Sequence, residues 1–414
     1  MITKERGLKM ATENLFQNDA YLKEMHAEVT AVRRHGGRMQ IALDRSVFFP
    51  EGGGQPADQG FLDGIKVVDV QEDADSGDIW HILEKEGDFK PGQRVCGRID
   101  WDRRFDHMQM HCGEHILSGR FHELFGVENR GFHMGSDYMT IDMAAPEGRP
   151  LTDEQIREAE IASNEIIWEN LPVRILRCEN REDAERLPLR KLADFVEGDV
   201  SVVLIGDEES PADCCACCGT HPLQTGSVGL ISVLKAETYK GMTRLTIKAG
   251  RFALEEYMLR SDAASALAKK YSCELAELIE RDKINDVKNE EIRRELAELR
   301  SAIAKKEEEK LREALDSGSG TFEAFTYELQ SANDLQAMAS RLKDSLVAPL
   351  ALLSERDCTV VIASPGEPDA GKLVGNFAKL FAGKGGGNRQ IARAIFQSSE
   401  DAKKFIDQLK EELR

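Results

Sequence analysis

Two ligand pairs of identical spacing, His111-x-x-x-His115 and Cys217-x-x-x-His221, lie in widely separated parts of the chain. On a helix the i, i+4 spacing puts both side chains on one face, within reach of a single ion. Three imidazoles and a thiolate make the tetrahedral nitrogen and sulfur set that Zn²⁺ prefers. A fold that uses them must bring two distant segments together, so the pairs constrain its topology more than any other feature. Cys214, Cys215 and Cys218 flank Cys217 and leave an alternative thiolate ligand open. Four protein ligands also leave no position for water or substrate, whereas catalytic zinc usually keeps one. Either His221 binds loosely, or catalysis does not use a metal-bound hydroxide.

At 414 residues the chain exceeds one typical domain, and its length predicts roughly two to four units. Nine cysteines, with no N-terminal apolar run or cleavage pattern, fit a reduced cytoplasmic compartment better than secretion. No stretch is long and apolar enough to cross a membrane. The net charge of −19 excludes sequence-independent coating of nucleic acid, which needs Lys and Arg to neutralise phosphates. From Gly371 to Arg414, however, nine basic residues stand against five acidic, so a nucleic-acid partner would be gripped locally.

Residues 22 to 100 alternate short apolar runs with turn signals. Gly36-Gly37 and Asp63-Gly64 fall between such runs and favour tight hairpins, which predicts a small antiparallel β domain. Inside it, Phe48-Phe49-Pro50-Glu51-Gly52-Gly53-Gly54-Gln55-Pro56 holds three glycines that let the backbone approach a ligand closely. From Trp101 to Leu124 the pattern is helical and carries the first ligand pair. A second helix is expected over Thr152 to Asn170, opened by a capping box of Thr152 and Gln155. Strands return at Ser201 to Ile205 and Leu230 to Leu234, flanking the second pair in a mixed α+β unit.

From Leu254 to Leu315 the chain has no proline or glycine and is rich in Ala, Glu, Lys, Leu and Arg, with a break expected near Ser272-Cys273-Glu274. Ile292, Leu296, Leu299 and Ile303 form the seam of a packed or coiled helix, whose partner is its own hairpin or another chain. Asp316-Ser317-Gly318-Ser319-Gly320 ends it. Beyond lies a compact α/β module, with a helix expected over Leu335 to Leu353 and a buried strand at Cys358 to Ala363. Its glycine-rich stretch, Lys384, Gly385, Gly386, Gly387, Asn388 and Arg389, is a candidate phosphate cradle without Walker spacing.

These residues resemble the editing half of alanyl-tRNA synthetase and the freestanding AlaX-type editing proteins, in their long form. The likeness runs through Phe49 to Pro56, His111-x-x-x-His115, Cys217-Cys218-Gly219-Thr220-His221 and Thr225 to Gly229, then into a DHHA1-like C-terminal module. The resemblance implies an α+β chain in four parts: an N-terminal barrel-like β domain over 1–100, a zinc-binding editing domain over 101–252, a coiled-coil-like helical segment over 253–318, and a tRNA-binding and dimerisation module over 319–414. With no aminoacylation domain in front, it implies an editing protein rather than a synthetase. It further implies one Zn²⁺ on His111, His115, Cys217 and His221, which fixes the aminoacyl end and polarises it or its attacking water.

The implied reaction is hydrolysis of the ester that joins serine, chiefly, and glycine to the tRNA for alanine. A pocket that activates alanine rejects an added hydroxyl by only about 10², so a second sieve that hydrogen-bonds the hydroxyl is needed. Ser46 stands where the family commonly has a threonine and is the candidate hydroxyl partner; Gln55 would orient the ester or the water. Backbone amides of the loop containing Gly53 and Gly54 would face a developing oxyanion. His133 reads as a satisfied core histidine, with a substrate contact as the alternative. Two rivals stand beside this reading. His111-Cys112-Gly113-Glu114-His115 also fits the inverted zinc-protease pattern, with Glu114 as general base, and a closed zinc knot would suit a non-catalytic tRNA-binding protein.

Overall fold

The protein is described here from a computed structural model covering residues 11–191, 199–318 and 320–413. It divides into two compact units, Met1–Ala266 and Leu267–Arg414.

In the first unit six strands close into an antiparallel barrel: β1 (Glu24–His35), β2 (Arg38–Leu43), β3 (Gly60–Leu62), β4 (Ile65–Glu72), β5 (Ile79–Leu83) and β6 (Arg94–Ile99), in the order β1-β2-β5-β4-β3-β6. Closure removes the unpaired edges that an open sheet of this size would present. The two expected hairpins form. Gly36 and Gly37 turn with φ of 60° and 76°, and Asp63 and Gly64 with 46° and 78°, the paired positive values of a tight two-residue connection. Val29, Ile41, Leu43, Phe48, Phe49, Leu62, Val70, Ile79 and Leu83 fill the interior.

Helix α1 (Trp101–Phe125) leaves the barrel directly, capped by Asp100, whose side chain accepts the Arg103 amide. It stops at Gly126, a left-handed residue with φ of 64°. Strands β7 (Glu128–Met134) and β8 (Met139–Ala144) follow, then α2 (Asp153–Glu169), which opens with the expected reciprocal box of Thr152 and Gln155. A three-stranded antiparallel sheet comes next, ordered β9 (Val173–Cys178), β10 (Val200–Gly206) and β11 (Pro211–Ala216). Finally β12 (Ile231–Tyr239) and β13 (Met242–Ala249) join β7 and β8 in the order β12-β13-β8-β7, and α3 (Gly250–Tyr271) begins. Met110, Ile116, Leu117 and Phe121 of α1 pack with Ile141, Ile156, Ile205, Leu245 and Ile247 in one core. The helix is thus gripped on both sides.

The join between helix and barrel is a buried ion pair. Arg104 and Asp58 are both fully buried. Arg104 Nε donates to Asp58 at 2.9 Å, Nη2 to the Val47 carbonyl at 2.6 Å, and Nη1 to the Ala20 carbonyl at 2.8 Å. Asp58 also accepts the Phe49 amide at 2.8 Å. One guanidinium therefore ties α1 to the chain on both sides of the glycine-rich turn.

In the second unit the chain breaks at Ser272, which has a φ of 50°, and resumes as the 40-residue α4 (Leu278–Ser317). Ile292, Leu296, Leu299 and Ile303 are all exposed along it. The sheet beyond is ordered β14 (Glu323–Tyr327), β15 (Leu350–Ser354), β16 (Thr359–Ala363), β18 (Ile391–Ile395) and β17 (Lys384–Gly387), with α5 (Ala332–Leu342), α6 (Ala370–Phe377) and α7 (Ser399–Glu412) packed on it. The expected helix over Leu335 to Leu353 is cut in two. It ends at Leu342, and Leu350–Ser354 is a wholly buried strand. Pro349 bars a helix from running on into that strand, since it lacks an amide hydrogen and drives the residue before it out of helical conformation. Among the described residues no helix is long and apolar enough to cross a membrane.

Two stability effects follow. Asp58→Ala would leave the Arg104 guanidinium buried and unpaired, and is expected to cost about 3–5 kcal/mol, seen as a lower urea midpoint. His81 in β5 is fully buried, and burial pulls its pKa from 6.5 down to about 4 against a raising hydrogen bond to the Ile41 carbonyl. A folded value below the unfolded one means that this contribution is whole above pH 6.5 and is lost as pH falls from 6.5 towards 4. The loss amounts to roughly 3 kcal/mol. Unfolding of His81→Gln is expected to depend less on pH across that window than unfolding of the wild type.

Candidate metal centre

Helix α1 presents His111 and His115 from one face, and the loop after β11 brings Cys217 and His221 against them. One donor atom from each of the four lies within 4.8 Å of the others. Cys217 Sγ is 3.4 Å from His111 Nε2 and 3.4 Å from His221 Nε2. Zinc bonds of about 2.3 Å to sulfur and 2.0–2.1 Å to nitrogen, at tetrahedral angles, place such donors about 3.5 Å apart. The donor set fits the ion in chemistry and in spacing.

Two of the rings are held from behind. His111 Nδ1 is 2.9 Å from Gln55 Oε1 and His115 Nδ1 is 2.8 Å from Asp213 Oδ2, so in each the Nε2 is left for the centre. Gln55 is fully buried; its Oε1 also takes the Thr220 amide at 3.1 Å, and its Nε2 donates to Thr220 Oγ1 at 2.9 Å. Phe132 stacks on the His111 ring with centroids 5.3 Å apart. Arg190 holds Asp213 from its far side at 2.6 and 3.1 Å. Gly219 is the point of closest approach: a Cβ there would lie 2.2 Å from His111 Cε1 and 2.9 Å from Gln55 Oε1.

The electrostatics favour the ligand forms of Cys217 and His221, whereas His115 favours its charged form, so an entering ion would have to displace its proton. Burial pushes the Cys217 thiol up, but His111, His115 and His221 around it prevail and hold it well below the ordinary range. Burial alone lowers His115, yet the Cys217 charge and the Asp213 hydrogen bond raise it well above normal. His221 goes the other way, down to about 4, because burial outweighs the Cys217 charge. A thiolate is therefore available before any ion arrives. Cys214 instead packs in the apolar cluster of Ala184, Val200, Val202 and Leu204, and Cys215 joins a second candidate trio with His115 and Asp213. Cys218 is exposed.

The glycine loop reaches this centre. Gly52 and Gln55 exchange backbone hydrogen bonds of 3.1 and 3.0 Å around Gly53 and Gly54, whose φ values are 59° and 82°. Side chains are excluded from both glycines, since a Cβ at Gly53 would meet Cys218 Sγ at 3.0 Å and one at Gly54 would meet Phe132 at 2.5 Å. Gly53 lines a cavity of about 550 Å³ together with His111, Glu114, His115, Phe132 and Cys217. Ser46 lines neither this cavity nor a second one of about 590 Å³ on the Cys217–Leu223 side. It is fully buried, with its Oγ 2.8 Å from His81 Nε2 and accepting the Phe48 amide at 3.0 Å. His133 is exposed on β7 rather than in the core, because its neighbours Phe132 and Met134 alternate inward.

Lys384 to Gly387 form the exposed edge strand β17 instead of a loop. Gly385 and Gly387 answer a steric need, since a Cβ on them would sit 2.0 Å from the Arg393 carbonyl oxygen and 2.3 Å from the Ile391 carbonyl oxygen. Asn388 closes the turn by accepting the Gln390 and Ile391 amides, and Arg389 is held by the Gly366 carbonyl and Glu367. Asp213, Arg190, Asn129 and Phe132 escaped the sequence reading. Of these only Asp213, four residues before Cys217, carried a readable spacing.

The barrel, the antiparallel sheet β12-β13-β8-β7 and the donor set of three histidines and one cysteine define a protein with a candidate metal centre beside a β-barrel. The family described as tRNA synthetases class II (A) matches residues 7–103, and the DHHA1 domain matches residues 324–414. The alanyl-tRNA editing protein AlaX-L of Pyrococcus horikoshii is 30% identical over 97% of this chain and 98% of its own length. Alanine–tRNA ligases of Ignicoccus hospitalis and Pyrococcus abyssi are 29% and 31% identical over 96% of this chain, which spans 43% of each ligase. The C-Ala domain structure from Aquifex aeolicus alanyl-tRNA synthetase covers 23% of this chain at 19% identity and a TM-score of 0.21, and adds nothing to the fold described. The chain belongs to the AlaX-L family of alanyl-tRNA editing proteins.

Removing Gln55's amide by Gln55→Ala is expected to lower zinc affinity roughly 10- to 100-fold, as loss of an outer partner does. Gly219→Ala should lower it further by displacing the His111 ring itself. Competition with a chromogenic chelator measures both.

Proposed function

We propose that this protein is an aminoacyl-tRNA hydrolase that acts in trans on mischarged tRNA for alanine, removing chiefly serine and also glycine. The observation that carries the reading is the convergence of His111, His115, Cys217 and His221 beside a cavity of about 550 Å³, in a chain related along nearly its whole length to an alanyl-tRNA editing protein. That volume suits an aminoacyl ester and its terminal ribose.

Zn²⁺ held by these four residues would supply positive charge that fixes and polarises the aminoacyl end. The rest is done by the chain. Gln55 and Asp213 hold the two α1 imidazoles in orientation. At the turn tip the Gly53 and Gly54 amides donate to no group among the described residues, and Gly53 borders the cavity, which leaves its N–H free for a carbonyl oxygen that gains charge. Ser46 is the proposed hydroxyl sensor. Its oxygen keeps one acceptor lone pair after His81 and Phe48 are served, and it stands just ahead of the segment that carries the turn.

In this reading residues 1–100 supply the turn, 101–252 the centre, 253–318 a spacer, and 319–414 a grip on tRNA through Lys384, the glycine strand and Arg389. The exposed stripe of Ile292, Leu296, Leu299 and Ile303 suits a second copy of the chain. Nine free cysteines suit a reducing cytoplasm.

Purified protein is expected to hydrolyse tRNA(Ala) charged with serine or glycine and to spare the alanyl ester. Cys217→Ala should lose metal and activity together, and Ser46→Ala should mainly erode the preference for serine. Equal cleavage of all three esters contradicts the sieve. Tight tRNA binding at full zinc content, with no rate above buffer, favours a non-catalytic binding protein.

A further inference from the structure

Glu114 is a carboxylate on α1 beside His115, 5% exposed, and it borders the same cavity as the metal donors. One of its oxygens is fully engaged. Oε1 accepts Ser118 Oγ–H at 2.5 Å and Asn129 Nδ2–H at 2.6 Å, and Asn129 is itself fixed because its Oδ1 takes the Gly131 amide at 3.0 Å. The group is thus locked by the helix and by β7 together. Oε2 has no protein partner among the described residues. The cations of the cavity make their hydrogen bonds and ion pairs elsewhere: Arg190 and His115 with Asp213, Lys191 with the Asn129 carbonyl at 2.9 Å, and Arg130 with Glu128, so that His115 and Arg190 reach Glu114 only through charge. Among the described residues no Lys or Arg pairs with Glu114.

A carboxylate withdrawn from water with one oxygen open is costly unless a cation completes it. An aminoacyl ester brings one cationic group, the α-ammonium, with three N–H donors next to the ester carbonyl. We propose that Glu114 Oε2 receives the α-ammonium of the aminoacyl ester, so that the cavity selects esters of amino acids over uncharged esters of the same shape. This rests on the hydrolase reading above and names a specificity residue within it.

The test compares seryl-tRNA(Ala) with its deaminated counterpart, the glyceric acid ester, in which a hydroxyl replaces the ammonium. Each rate is divided by the uncatalysed rate of the same ester. Wild-type holoprotein is expected to favour the seryl ester in kcat/KM by roughly 10- to 100-fold, the scale of a charge-assisted hydrogen bond. Glu114→Gln keeps an acceptor for Ser118 and Asn129 and replaces only the open oxygen, so it should retain fold and zinc while bringing the ratio close to one, mainly through KM. No preference in the wild type overturns the proposal. So does an equal loss on both esters at unchanged zinc content, which would make Glu114 a general base. If the variant misfolds, the wild type alone decides: inhibition by serinamide but not by uncharged glyceramide supports the assignment, and equal inhibition overturns it. If wild-type protein hydrolyses neither ester, the hydrolase reading falls, and this assignment with it.

Discussion

Arg104 fixes the frame in which everything else in the first unit is placed. A fully buried guanidinium has five donors to satisfy, and this one finds Asp58 on one side of the barrel segment and the Val47 and Ala20 carbonyls on the other. Because Asp58 also holds the Phe49 amide, the pair pins the chain just before and just after the glycine turn. The same helix, two turns further on, carries His111, Glu114 and His115. Barrel, turn and donor helix therefore share one anchor, and the Gly53 backbone can stand beside the imidazoles without side-chain contacts of its own.

The second half of the centre depends on a different kind of constraint. Strand β11 ends at Ala216, and the chain that follows must pass so near His111 that only glycine fits at 219. The alternation of β11 buries Asp213 toward His115 and sends Cys214 into apolar packing, which leaves Cys217 as the thiol in the four-donor group. Charge then reinforces geometry. Three imidazoles around one sulfur favour the thiolate, and Arg190 keeps Asp213 ionised by its coulombic pull although burial opposes it. Such mutual dependence is what makes a polar cluster tolerable at this depth.

The second unit follows ordinary packing logic. Its central strands Leu350–Ser354 and Thr359–Ala363 are buried at every position, and helices cover them. At the sheet edge the glycine run serves the backbone first, because β17 approaches β18 too closely for a Cβ at 385 or 387. The result is an exposed edge strand that begins at Lys384 and pairs with β18 on one side only.

The sequence by itself determined the barrel hairpins, both helix starts, the helix break at Ser272 and the two i, i+4 donor pairs. Each rests on local chemistry: paired positive-φ residues, caps, and i, i+4 spacing act over a few residues whatever the surroundings. Only the tertiary structure decided that the two pairs converge and which sulfur joins them, that Gln55 and Asp213 stand behind the imidazoles, that Ser46 bonds His81 and lines neither cavity, and that Pro349 separates an apparent helix from a core strand. Those outcomes turn on contacts between residues far apart in the chain, where a side chain's partner is set by packing and burial, and neither leaves a period in the sequence.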